Sequence, residues 1–79
     1  MINVVITKTS GGKYHAYIPE ASHRFSSTKP DIESLIADII PNIDGLSRSR
    51  DDDFVQREYT NLSKEEQKIC ETAFEKVFG

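Results

Sequence analysis

His15, His23 and Cys70 are the side chains in this sequence best suited to proton transfer or nucleophilic attack, and Asp51-Asp52-Asp53 is the run that could hold a cation. A histidine acting as general base needs a nucleophile beside it and a group that orients its ring. Neither histidine has such a pair in view, so both read as residues of a solvated polar face. Cys70 lies on the apolar stripe of a helical pattern, between Ile69 and Glu71, with no glycine turn to present it. It reads as a small core hydrophobe. Calcium loops space their ligands at alternate positions around a glycine, and three consecutive aspartates do neither. The triplet reads as a solvated acidic loop whose carboxylates could meet lysines or arginines of a partner. "SGGK", Ser10 to Lys13, joins two strand patterns, whereas a phosphate loop feeds a helix N-terminus. No Cys/His pair has metal-ligand spacing. The expectation is no catalytic set, no metal and no cofactor.

What remains is contact chemistry. In the strand pattern Lys13 to Ile18, the residues Tyr14, Ala16 and Ile18 share one face, and Lys13, His15 and Tyr17 share the other. Lys13, His15, Tyr17 and Arg24 are therefore candidates for one binding surface, and Asp51, Asp52 and Asp53 for a second.

The elements that must position these residues follow from periodicity. Ile2, Val4 and Ile6 alternate against Asn3, Val5 and Thr7 in a β-branched run that predicts a first strand. Gly11 and Gly12 supply the positive φ of a hairpin turn. Pro19, with no N–H for a ladder, ends the return strand or marks an edge. Arg24 to Ser27 predicts a short third strand. Thr28 with Asp31 resembles a capping box, with Pro30 in the first turn of a helix. Ile32, Leu35, Ile36, Ile39, Ile40 and Ile43 fall on one helical face. Pro41 should stop that helix near Ile40. Leu46 to Asp53 reads as an exposed loop, and Phe54 to Thr60 as a possible fourth strand. Ser63 and Glu66 form a Ser-x-x-Glu capping box ahead of an amphipathic helix through Ile69, Cys70, Ala73, Phe74, Val77 and Phe78.

The expected fold is α+β, in the order β-β-β-α-(β)-α: an antiparallel three-stranded sheet covered by one amphipathic helix, with a second helix at the C-terminus. The whole chain, 1–79, reads as one domain. Positions 2–45 hold the hairpin, third strand and first helix, 46–53 the loop, and 54–79 the possible strand and last helix. With 37% hydrophobic and 29% charged residues, the composition is that of a globular chain. No apolar run is long enough to cross a bilayer, and a single cysteine with no export signal points to a reducing cytoplasm. The net charge of −3 disfavours non-specific nucleic-acid binding and suits docking on a basic partner.

The stretch "INVVITKTSGGKYHAYIPE" and the short strand and helix after it resemble HicB-like antitoxins. Gly12, Tyr14, Ala16, Tyr17, Pro19 and Glu20 stand in that family's "GGYxAxxPE"-like pattern, and the similarity spans Ile2 to about Ile43. The resemblance implies a β-β-β-α domain of degraded ribonuclease-H-like fold. "ASHRF" replaces the family's Leu-Pro-Gly-like turn, and "STKPD" replaces its Gly-Asp-Thr step. The tail from Leu46 does not look like the DNA-binding domains of longer members, so operator binding is not implied.

Three functional expectations follow. The first is a small acidic, non-catalytic protein-binding module that neutralises a nucleic-acid-acting partner. It would be antitoxin-like, or a phage-encoded inhibitor such as an anti-CRISPR, its partner a toxin or nuclease-type complex. The second is an RNA- or DNA-binding module using Lys13, His15, Tyr17 and Arg24, or a basic-aromatic surface of Arg24, Arg48, Arg50 and Arg57 with Tyr17, Phe25 and Tyr59. The third is a homodimeric structural protein joined through the last helix or an edge strand.

Overall fold

The computed structural model describes residues 1–21, 25–52 and 54–78. His23, Arg24 and Asp53, named above, lie outside them. The elements are β1 (Ile2–Lys8), β2 (Tyr14–Ile18), β3 (Phe25–Lys29), α1 (Ile32–Arg50), β4 (Val55–Thr60) and α2 (Lys64–Phe78). The β1–β2 hairpin closes where Thr9 N–H donates to the Lys13 carbonyl at 2.8 Å and Gly12 N–H to the Thr9 carbonyl at 3.0 Å. Gly12 turns there at φ +80°, a conformation that glycine adopts without steric cost.

The sheet corrects the expected three antiparallel strands. It has four, in the order β3-β2-β1-β4, and β4 lies parallel to β1. The β1–β2 and β2–β3 pairs are antiparallel, with Ile6 opposite Ala16 and Ala16 opposite Ser27. The physical reason is the crossover. α1 carries the chain from the end of β3 back to the level of the Ile2 end of β1, so β4 enters in the same direction as β1. The register from Ile2↔Val55 to Thr7↔Thr60 puts Val55, Arg57 and Tyr59 on the same face as Ile2, Val4 and Ile6.

α1 departs from expectation at both ends. Its N-cap is Asp31, whose carboxylate accepts the Ser34 N–H at 2.8 Å. Thr28 belongs to β3 instead, where it pairs with His15 in the β2–β3 ladder, which leaves Asp31 as the acceptor at the start of the helix. The helix also runs on through Pro41 to Arg50, so most of the expected 46–53 loop is helical. An interior proline costs about 3 kcal/mol. Continuing the helix buries Ile43 completely, contributing roughly 1.5–3 kcal/mol, and packs the partly buried Leu46 against the core for a further share. Burial outweighs the break. The Asn42 side-chain amide donates to the Asp38 carbonyl at 2.8 Å, next to the Ala37 carbonyl that Pro41 cannot serve. The helix ends where Asp51 turns left-handed at φ 53° and Asp52 N–H returns to the Ser47 carbonyl at 3.0 Å.

Both helices lie on one face of the sheet. Ile2, Val4, Ile6, Ala16 and Ile18 meet Leu35, Ile39, Ile43, Cys70 and Phe74 in one buried core. The alternation read in the first two strands is thus the alternation between core and surface. α2 starts with the expected box: Ser63 N–H donates to Glu66 Oε1 at 2.8 Å, and Glu66 N–H donates to Ser63 Oγ at 3.1 Å. Two carboxylates then pin α2 to the sheet. Glu66 accepts the Tyr14 hydroxyl and lies 3.5 Å from Lys8 Nζ. Glu71 accepts the Tyr59 hydroxyl and Arg57 Nε at 2.8 Å, and the Arg57 guanidinium rests 5.2 Å above the Phe74 ring centroid. No helix among the described residues is long and apolar enough to cross a membrane.

Candidate interface on the open sheet face

Among the described residues no helix covers the second face of the sheet. Odd-numbered residues of β1 and β2 point there, joined by even-numbered residues of β3 and β4, as the registers require. One row across the strands reads Thr60, Thr7, His15, Thr28. The next reads Glu58, Val5, Tyr17, Ser26. Gln56 and Asn3 follow, with Glu20 folded beside Asn3.

His15 and Tyr17 are brought together at the centre of this face, both half-buried among their neighbours. His15 Nδ1 lies 2.8 Å from Thr28 Oγ1 across the β2–β3 pair. That bond orients the ring. The orienting group is a hydroxyl, not the carboxylate that would hold a general base in a charge-stabilised tautomer. Lys13 is exposed and lies in the hairpin at the His15 end, its N–H donating to Thr9 Oγ1 at 3.2 Å. At the other end Glu20 accepts Asn3 N–H at 2.7 Å and Asn3 Nδ2–H at 2.9 Å. Burial raises the Glu20 pKa, but the Asn3 bonds outweigh it and hold the carboxyl below its ordinary range.

The chemistry of the face is uneven in a useful way. It offers hydroxyls, an imidazole, a phenol and two amides, with carboxylates at Glu58 and Glu20; among the described residues its cations are confined to the margins, Lys13 at one end and Arg50 near Glu20 at the other. Such a surface makes directional hydrogen bonds and aromatic contacts but presents little positive potential to phosphates.

The other candidates are dispersed. Arg57 and Tyr59 lie on the helix-covered face and are engaged by Glu71. Phe25 shares that covered face, opposite Ile18. Arg48 pairs with Asp44 at 3.2 Å. Among the described residues, Arg48, Arg57, Phe25 and Tyr59 therefore do not converge with Tyr17 on one surface. Asp51 forms the αL turn after α1, and Asp52 is engaged by the Met1 amino group and by Phe54 N–H at 3.1 Å. Both lie near the start of β1, whereas Lys13 lies beyond its end, so the acidic turn and the His15 row belong to opposite ends of the molecule. Cys70 is fully buried, and burial above all pushes its thiol up to about 11. Among the described residues no group of three His, Cys, Asp or Glu side chains is placed to hold a metal.

Thr7, Thr28, Thr60, Ser26 and Glu58 join the face through strand register. Alternation placed Thr7 opposite the core, but nothing local in the sequence says which strand lies beside β1. No protein-family model matches this chain, and no curated protein and no solved structure matches it.

Proposed function

We propose that this chain is a small acidic, non-catalytic protein-binding module of the cytoplasm that docks through its open sheet face on a nucleic-acid-acting protein and neutralises it. Antitoxin-like action, or inhibition of a defence nuclease by a phage-encoded protein, is the specific form of the reading. The observation that carries it is the face centred on His15 and Tyr17, which among the described residues is uncovered, rich in hydrogen-bonding groups and poor in cations. A face of this composition suits a protein surface better than a phosphate backbone. Two further features support the reading. The net charge is −3, which favours encounter with the basic groove of a nucleic-acid-acting protein. The HicB-like residues Gly12, Tyr14, Ala16 and Tyr17 fall in the hairpin that builds the face, with Tyr14 and Ala16 turned inward and Tyr17 outward.

Capture from a lysate of the source organism tests this. A nuclease-type or toxin partner should be enriched, and enrichment of no such protein would sink the proposal. A gel shift across salt concentrations separates the rival. Micromolar binding of RNA or DNA that weakens steeply with salt would move the function to the nucleic-acid reading.

A further inference from the structure

The outward face of α2 is exposed and packs on nothing among the described residues. Glu65, Lys68, Ile69 and Thr72 line a shallow depression there, and Ile69 is 39% exposed. Glu75 and Lys76 continue the same face and are exposed. None of these charged residues takes part in an ion pair among the described residues.

Positions 65, 69, 72 and 76 recur with a four-three-four spacing along one helical face, with Ile69 its apolar member and Glu65 and Lys76 its charged ends. Their order is self-complementary in one direction only. With two copies of α2 antiparallel about an axis between Ile69 and Thr72, Glu65 meets Lys76 of the second copy, Ile69 meets Thr72, and on the flank Lys68 meets Glu75. The two-fold axis makes every pair twice. Parallel pairing would instead set Glu65 against Glu65 and Lys76 against Lys76. We propose that the protein forms an antiparallel homodimer through the outward face of α2, with a second copy of this chain as the occupant and these charge pairs setting its direction. The sheet lies between this face and the His15 surface, so the inference stands apart from the proposed function. A dimer of this kind would present two open sheet faces, one on each side.

The test is sedimentation equilibrium on the full chain from about 10 μM to about 1 mM, the range expected for a contact smaller than a standard interface. Wild type should show concentration-dependent dimer that weakens with salt. Lys68→Glu sets like charges against each other at two symmetric places and should weaken association roughly tenfold. The double variant Lys68→Glu/Glu75→Lys restores both pairs and should recover association to within about threefold of wild type. That exchange moves acid toward the helix N-terminus and base toward its C-terminus, which favours the helix, so the double variant should fold as wild type does. A strictly monomeric wild type would overturn the inference. So would a Lys68→Glu variant that associates like wild type, or a double variant that fails to recover.

Discussion

Replacing Pro41 by alanine should make this protein more stable, although it removes a residue from the middle of its longest helix. Pro41 is exposed, so no packed apolar surface is lost. Its missing N–H leaves the Ala37 carbonyl without its helical donor, and proline inside a helix costs about 3 kcal/mol relative to alanine. Alanine frees the unfolded chain that proline stiffens, which returns about 1 kcal/mol to the other side. The net gain is about 2 kcal/mol, against a total of roughly 4–12 kcal/mol for a domain of this length. Urea denaturation followed by far-ultraviolet circular dichroism reads it directly. With a slope of about 1–2 kcal/mol per molar, the midpoint should rise by about 1–2 M. An unchanged or lowered midpoint would refute the reasoning. It would mean that α1 does not run continuously through position 41, and that the burial of Ile43 and Leu46 is achieved by a turn.

Acid should destabilise the fold through Glu66, whose carboxyl is held down to about 2, first by the Tyr14 hydroxyl, then by Ser63 N–H, with Lys8 adding to both. A carboxylate depressed below its ordinary value of 4.5 contributes fully above that pH and loses its contribution as the pH falls toward about 2. Urea midpoints measured across that window should drop more steeply for wild type than for Glu66→Gln, and parallel curves would contradict the assignment. Cys70 should resist a disulfide reagent at pH near 8 in native protein and react at once in denaturant, because burial keeps its thiol protonated. Fast labelling of the native protein would contradict its place in the core.

Much of this fold is legible in short patterns. The alternation of Ile2, Val4 and Ile6 and of Tyr14, Ala16 and Ile18 predicts the faces of β1 and β2, and Ser63 with Glu66 predicts the start of α2. These are local signals, written within a few residues of the structure they specify. Pro41 misleads because the local rule is true and still outweighed: Ile43 lies one helical turn beyond Ile39, and burying both on one face requires the helix to continue. Thr28 and Asp31 are both competent caps by type, and the pairing of Thr28 with His15, a contact between strands, decides between them. The partner of β4 is illegible for a different reason. Phe54 to Thr60 alternates well enough to say strand, but its neighbour is set by where a 19-residue helix delivers the chain. The candidate site divides along the same line. His15 and Tyr17 share a face by parity alone, while Thr60, Glu58 and Thr28 reach them only through registers with other strands. Asp52 shows the reverse error. A carboxylate in a polar run reads as free for a partner, and here it is engaged by Met1 and Phe54.

Capture with two baits tests the role of the open face most directly: the full wild-type chain, and a His15→Ala/Tyr17→Ala double variant checked by circular dichroism to be folded. Both positions are half-buried on the surface face and carry none of the core, so the variant should keep its fold. Wild type should enrich a nuclease-type or toxin partner from the lysate of the source organism, and the double variant should lose it. Equal capture of that partner by both baits would show that the open sheet face is not where this protein binds.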